Sequence, residues 1–368
     1  MHRRRWSPKT GIFIVALISG AYAQQPAPEA TAPAATPTTN TPSIAPATTP
    51  AVATPSVEPA HFDLNRPDIR AYIDQAVSQG VDRNHLIGLL NSAEPQQKII
   101  DTMTKPAEKT LQWWEYRARM LTSLRIEAGA ELWREHRELL DRIALEYQVS
   151  PEYLIAVLGV ETQYGRVTGR YRVIDALTTL GFDYAPRAAY FKGELTQYLL
   201  LAREEGFDPL SIRGSYAGAM GALQFMPSSY RKFAVSGRRA THRDLWGDWA
   251  DIFASTANYL HQAGWQYGGP VLTEAQLAPD QSVTPADRMT LNETLGSLRA
   301  HALTIPTTLP DDTPAILLAA PQQDAMSYRV GFQNFYVITR YNSSPLYAMA
   351  VYDLAQAVKE QVMREAAM

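Results

Sequence analysis

Ser150-Pro151-Glu152-Tyr153-Leu154-Ile155-Ala156-Val157-Leu158-Gly159-Val160-Glu161-Thr162-Gln163-Tyr164-Gly165-Arg166 is the stretch on which the fold turns. Ser150 suits a helix N-cap and Pro151 the first helical position, so a helix is expected from 151 onward. On a helical wheel centred on Glu161, Val157 falls at about −40°, Leu154 at about +20° and Leu158 at about +60°. The carboxylate is therefore placed within the apolar stripe, not on its wet flank. Burial disfavours the charged form of a carboxyl group and raises its pKa. An acid kept protonated near neutral pH is what general-acid cleavage of a glycosidic bond requires. A structural carboxyl group, bonded to Thr or Tyr to fix a helix crossing, satisfies the same pattern.

A second segment, Gly214-Ser215-Tyr216-Ala217-Gly218-Ala219-Met220-Gly221-Ala222-Leu223-Gln224-Phe225-Met226-Pro227, is rich in glycine and alanine. Small residues let a backbone approach a ligand or another chain closely. Gln224 offers both donor and acceptor, as a sugar hydroxyl or acetamide needs. Close helix packing through Gly and Ala is the bland alternative.

Outward from these two segments the chain is mostly helical in pattern. Arg66-Pro67-Asp68 opens a helix that stops at Gly80, and Asp82 can cap the next. One long helix is expected from Thr110 to Glu146, broken near Gly129, with Trp113, Tyr116, Met120, Leu124, Leu132, Leu139 and Ile143 in its core stripe. Further helices are expected over 187–206, from Pro227, over 248–263 and over 344–367. Between Tyr267 and Val330 proline and threonine become frequent, and Ala315–Ala320 and Tyr328–Phe332 favour strands. No internal repeat is visible.

The N-terminus has the form of a secretory signal: a basic MHRRRWSPKT, an apolar GIFIVALISG and an Ala21-Tyr22-Ala23 cleavage site. The apolar run Gly11–Ala23 has 13 residues, below the roughly 20 needed to span a bilayer. Residues 24–60 contain ten Ala, eight Thr and nine Pro, too little to bury against, and are expected to form a disordered linker. Without the four basic residues of the first 23, the remainder carries 30 Lys+Arg against 37 Asp+Glu, a balance of −7. That sign opposes nucleic-acid binding. The chain has no cysteine, which excludes disulfide scaffolds, thiol enzymes and a lipidated N-terminus. Its seven histidines form no metal-ligand pair by spacing.

Taken together, Gly159–Arg166, then Gly218-Ala219-Met220-Gly221 with Gln224-Phe225-Met226-Pro227-Ser228-Ser229-Tyr230, then Ile338-Thr339-Arg340-Tyr341-Asn342 resemble the lytic murein transglycosylase B family. Asp175–Leu180, Arg187 with Tyr190-Phe191, and Ala257-Asn258-Tyr259 match as well, and the resemblance runs over about residues 62–360 in the family's order. It implies a mainly α (α+β) fold: a lysozyme-like helical catalytic core with an added helical domain and a small β-containing domain. The expected division is a signal peptide over 1–23, the linker over 24–60, a helical domain over 61–149, the lysozyme-like core over 150–266, a β-containing insertion over 267–332, and a substrate-site segment with the C-terminal helix over 333–368.

The resemblance also implies a reaction. The family cuts the β-1,4 bond between N-acetylmuramic acid and N-acetylglucosamine in peptidoglycan and leaves 1,6-anhydromuramoyl ends. Glu161 would be the single acid and base, assisted by the substrate's own N-acetyl group. Ser215, Gln224 and Asn342 would hydrogen-bond sugar or acetamide groups, and Tyr341 and Tyr347 would line the scissile bond. Tyr116, Tyr190, Phe225 and Tyr259 would stack on pyranose rings, and Arg187 would meet a lactyl or peptide carboxylate. Glycan strands of peptidoglycan are the expected partner. A monomer in the periplasm without a membrane anchor is expected, because the lipobox cysteine of well-known members is missing.

A second departure concerns calcium. Known members carry a calcium loop with acidic ligands at alternating positions, where this chain has Ser236, Arg238, Ala240 and His242. No metal and no cofactor are expected, and Asp244, Asp248 and Asp251 are expected to pair with the loop's arginines. Two rival readings stand beside this one. A hydrolytic muramidase would need a second carboxylate, for which Asp175 and Asp183 are the candidates. A catalytically weak scaffold would hold glycan for other enzymes.

Overall fold

The helix predicted from Pro151 is the axis of the molecule. The computed structural model describes residues 61–104, 111–238 and 240–367; the expected signal peptide and linker lie outside the described residues. In chain order the helices are α1 Pro67–Ser78, α2 Arg83–Ser92, α3 Gln97–Thr104, α4 Trp113–Met120, α5 Ser123–Glu135, α6 Arg137–Tyr147, α7 Pro151–Thr162, α8 Val173–Asp183, α9 Ala188–Glu205, α10 Pro227–Phe233, α11 Trp249–Gln262, α12 Leu295–Ala300, α13 Gln333–Tyr341 and α14 Pro345–Ala366. The strands are β1 Tyr171–Arg172, β2 Arg213–Gly214, β3 Leu272–Leu277, β4 Glu293–Thr294, β5 Leu303–Thr304, β6 Pro314–Ala319 and β7 Tyr328–Gly331.

α7 is buried from Glu152 through Thr162. A one-sided stripe therefore understates it, since a helix apolar all round belongs inside a core. α5, α6, α11 and α14 pack around it. Ser150 takes the extended N-cap conformation, but its side chain makes no capping bond.

The single long helix expected over 110–146 is three helices. The chain breaks at Leu121-Thr122, where Thr122 Oγ1 accepts the Arg125 N–H at 3.3 Å and starts α5 afresh. The restart changes the helical phase, which leaves Leu124, expected in the core stripe, 78% exposed. Gly129 lies inside α5 and is no break. A Cβ there would stand 2.4 Å from the Tyr164 hydroxyl, so glycine serves close packing.

The five-stranded sheet has the order β4-β6-β7-β3-β5, with every pairing antiparallel. Ala275, Leu295, Leu298, Leu303, Ile305, Ala315, Leu317, Val330 and Phe332 form a small core of their own between this sheet and α12. β7 runs directly into α13, and a turn at Asn342–Ser344 starts α14. Asp353 of α14, buried, ties three regions together. It accepts from Arg117 of α4 at 2.7 Å and from Arg329 of β7 at 2.9 Å. Arg329 also lies over the Trp113 ring and reaches Glu274 of β3.

Candidate active site

Glu161 occupies the last turn of α7 and is 6% exposed. The Tyr347 hydroxyl donates to its Oε1 at 2.7 Å. Tyr347 comes from the first turn of α14, where Ser344 Oγ caps the helix by accepting the Tyr347 N–H. The Tyr341 ring lies parallel to that of Tyr347, at 6.4 Å between centroids. Burial, followed by the negative charge of Glu161, pushes both phenols well above their usual pKa. Both tyrosines therefore remain protonated donors: Tyr347 to Glu161, and Tyr341 to the Leu223 carbonyl at 2.5 Å.

Just beyond Glu161 the chain reverses through three consecutive left-handed residues, Gln163, Tyr164 and Gly165. The turn sends the Tyr164 ring back under α7, and its hydroxyl donates to the Arg125 carbonyl at 2.8 Å. Gly159 is required there, because a Cβ would meet that hydroxyl at 2.7 Å. Thr162 Oγ1 donates to the Ala222 carbonyl and accepts the Gly165 N–H. One hydroxyl thus welds the end of α7 to the glycine-rich segment.

That segment is folded by close backbone contacts. Met220 bridges both Gly214 and Phe225. A Cβ on Gly214 would stand 2.2 Å from the Ala219 carbonyl oxygen. Ser215 Oγ, 2% exposed, accepts the N–H groups of Ala217 and Ala219, leaving its own O–H to donate. Gln224 sits in the left-handed region and is 4% exposed. Its Nε2 donates to the carbonyls of Thr168 and Gly221, at 3.0 and 2.8 Å. Its Oε1 is buried with no hydrogen-bond partner. Gln224 therefore offers an acceptor alone, where both donor and acceptor were expected.

The remaining expected residues divide. Asn342 is buried at the end of α13 and its Oδ1 accepts the Ser344 N–H, which shapes the turn into α14. Phe225, Tyr259 and Tyr341 pack on one another with centroids 4.7–5.8 Å apart, a wall behind the Tyr341–Tyr347 pair. Tyr116 is 1% exposed and lies close enough to Tyr347 to affect its ionisation, so its ring has no open face for a sugar. Arg187 covers one face of Tyr190 at 4.3 Å, so that face too is occupied. Tyr190 in turn hydrogen-bonds Glu194, a buried carboxylate that also accepts the Ser228 N–H and Oγ–H. Neither Thr162 nor Glu194 was assigned a role from sequence. Their partners are 60 and 34 residues away, beyond any local pattern.

The carboxylates considered for hydrolysis are engaged elsewhere. Asp175 is held by Arg172 at 2.7 Å and accepts the Glu94 N–H, and Asp183 pairs with Arg66 at 2.6 Å. The loop over 236–251 also departs from expectation. Asp248 does pair with Arg238, at 2.8 Å. Asp251, 3% exposed, instead accepts the backbone N–H groups of Gly237 and Asp244. Asp244 accepts those of Trp246 and Gly247, and Arg243 pairs with Glu205.

Comparison with known proteins gives a consistent result. The family described as Transglycosylase SLT domain matches residues 65–356. Membrane-bound lytic murein transglycosylase B of Escherichia coli (strain K12) is 38% identical over 304 residues, 80% of this chain and 83% of that protein. The crystal structure of the soluble lytic transglycosylase SltB1 from Pseudomonas aeruginosa is 42% identical. It covers 80% of this chain and 99% of that one, at a TM-score of 0.75. The structure of the Escherichia coli lytic transglycosylase Slt35 in complex with calcium is 37% identical. It covers 82% and 96% of the two chains, also at a TM-score of 0.75. With a lysozyme-like fold shared along most of its length, this chain belongs to the SLT-domain lytic transglycosylase family.

Proposed function

We propose that this protein cleaves the β-1,4 bond between N-acetylmuramic acid and N-acetylglucosamine in peptidoglycan without using water, and that Glu161 is both acid and base. The observation that carries the reading is a buried carboxylate held by the Tyr347 hydroxyl, with both rival carboxylates bound to arginines. Retaining and inverting glycosidases need two carboxylates flanking the bond, whereas substrate-assisted enzymes do not.

The Glu161 carboxyl proton passes to the glycosidic oxygen as the bond from C1 breaks. The substrate's N-acetyl carbonyl stabilises the positive C1. The Glu161 carboxylate then takes the proton of the C6 hydroxyl, whose oxygen attacks C1 and closes the anhydro ring. Proton count and charge balance, and Glu161 returns to its starting form. The buried phenol of Tyr347, held in its protonated state, orients the carboxyl group throughout. In this scheme Ser215 O–H and Gln224 Oε1 bind hydroxyl and acetamide groups, and Arg187 a carboxylate of the muramic acid side. The basic, apolar and Ala-x-Ala segments at the N-terminus support export to the periplasm, where the substrate lies. Among the described residues no helix is long and apolar enough to cross a membrane.

Calcium has no part in this scheme. The acidic side chains of loop 236–251 already accept backbone N–H groups or pair with arginine. A hard cation needs several oxygen ligands, and it would compete here with the backbone N–H groups and Arg238 that these carboxylates now hold.

The test is mass analysis of muropeptides released from purified sacculi. Anhydro ends, about 18 Da lighter than hydrated reducing ends by the stoichiometry of one water, support the reading. Reducing ends refute it.

A further inference from the structure

Thr162 is fully buried and follows Glu161 directly, yet the reaction scheme gives it no part. Its hydroxyl donates to the Ala222 carbonyl at 2.8 Å, with the Leu158 carbonyl of its own helix farther off at 3.4 Å, and accepts the Gly165 N–H at 2.9 Å. Ala222 belongs to the tight turn Gly221–Gln224, closed by the Gln224 N–H on the Gly221 carbonyl at 3.2 Å. The turn starts and ends in the left-handed region, with φ of 67° at Gly221 and 50° at Gln224. Its next carbonyl, that of Leu223, accepts from Tyr341 at 2.5 Å. The Tyr341 ring lies parallel to that of Tyr347, whose hydroxyl donates to Glu161. Two successive carbonyls of one turn therefore take protons from α7, beside the candidate acid, and from α13. The contacts close a ring, from Glu161 through Thr162, Ala222, Leu223, Tyr341 and Tyr347 back to the Glu161 carboxyl group.

Gln224 ends this turn and carries the unpartnered Oε1, so the ring sets where that acceptor stands relative to the Glu161 carboxyl group. An acid and the group that holds its substrate must keep a fixed separation, since a misplacement of about 1 Å can cost on the order of 10²-fold in rate. Glu161 sits in the last turn of α7, and helix ends fray. The Thr162 side chain opposes fraying at the residue next to the acid, and only a hydroxyl of that size can donate and accept at once. We propose that Thr162 is a positioning residue of the reaction: it touches no substrate, and by pinning Ala222 it fixes the separation of Glu161 and Gln224. Tyr341 is the second pin, through Leu223. This role rests on the reading of Glu161 as the acid.

The experiment measures kcat and KM for muropeptide release from sacculi, at a temperature where circular dichroism shows each variant folded. Thr162→Val keeps the shape and loses the hydroxyl. Its kcat falls about 10- to 30-fold while KM stays within about twofold of wild type, because Gln224 and Ser215 still bind. Thr162→Ser restores the hydroxyl and lacks a buried methyl, so its thermal midpoint drops while kcat stays within about threefold of wild type. Tyr341→Phe removes the bond to Leu223 and keeps the ring. Combined with Thr162→Val it lowers kcat by more than the product of the two single effects, since either pin alone holds the turn. An unchanged kcat in folded Thr162→Val overturns the proposal. So does a serine variant as slow as the valine one, which assigns Thr162 to packing, and so does a double effect no larger than the product. Where Thr162→Val does not fold, Thr162→Ser and Tyr341→Phe carry the test: the first keeps kcat, the second lowers it about threefold at unchanged KM, and any other order overturns the proposal. Reducing ends released by the wild type refute the anhydro-forming scheme instead, while the kcat ratios still decide the role of Thr162, so the two failures are distinct.

Discussion

The candidate site around Glu161 and the stretch over 236–251 are built from similar side chains and used in opposite ways. In the loop, carboxylates are engaged by the protein itself. Asp251 closes on two backbone N–H groups, Asp244 on two more, and Asp248 and Glu205 on arginines. At the candidate site, Gln224 and Ser215 are equally buried but incompletely engaged. Gln224 Oε1 has no partner, and the Ser215 hydroxyl oxygen accepts twice while its proton remains to donate. A buried polar atom without a partner costs stability; among such atoms in the described residues, Gln224 Oε1 is the one on the glycine-rich segment that Thr162 joins to the end of α7. A polar cluster that satisfies itself is scaffold, and one held open by its surroundings is a site.

The largest expected effect breaks the site and leaves the scaffold. Glu161→Gln keeps the shape and the contact with Tyr347 but cannot shuttle a proton, and turnover should fall by about 10³–10⁴-fold. The thermal midpoint and sacculus binding are expected to stay near wild type. Turnover within tenfold of wild type would sink the single-acid mechanism. The converse experiment breaks the scaffold and leaves the site. Asp251→Ala strands two N–H groups and should cost about 2–4 kcal/mol in urea unfolding, with the pattern of products unchanged. A loss below about 0.5 kcal/mol would show that the loop does not depend on this carboxylate.

How much of this difference is legible in sequence depends on the distance between partners. Helix starts, the burial of Glu161 and the strands near 315 and 328 follow from local patterning, and the family motifs name most of the site. What stays hidden is long-range. Nothing near Tyr116 says that its ring is enclosed beside Tyr347, and the break at Thr122 that sets the phase of α5 is a single capping hydroxyl. The acids of loop 236–251 suggested pairing with its arginines by proximity, yet backbone N–H groups, which no sequence displays as partners, claim Asp244 and Asp251.

Two intermediate effects sharpen the comparison. Gln224→Ala removes the unpartnered acceptor, and kcat/KM on sacculi should drop about 10- to 100-fold, mostly as a rise in KM. A change below twofold would mean that Oε1 meets no substrate. Glu194 joins the two regions, because α10, whose Ser228 it holds, leads from the glycine-rich segment to the loop. Burial raises the pKa of Glu194, with hydrogen bonds from Ser228 opposing. A raised folded value means that its contribution to stability is complete below the unfolded pKa and is lost as pH rises through the folded one. The variant Glu194→Gln does not titrate, so its stability relative to wild type should improve as pH rises above the unfolded glutamate value of about 4. Movement in the other direction, measured by urea midpoints, contradicts the burial argument.

The smallest expected effect is none at all, and it bears on the comparison most directly. If loop 236–251 is closed by its own carboxylates, adding calcium offers no new ligand set, and a chelator removes nothing. A native-state ligand present at 100 times its dissociation constant stabilises by about 2.7 kcal/mol. In a protein of this size that is a rise of several degrees in thermal midpoint. Millimolar calcium should leave the midpoint of this protein unchanged, whereas a rise of that size would show that Asp244, Asp248 and Asp251 can leave their present partners for a cation. Asp251→Ala makes the measurement decisive: a calcium response in wild type that disappears in this variant would place the cation on the same carboxylate that now holds Gly237 and Asp244.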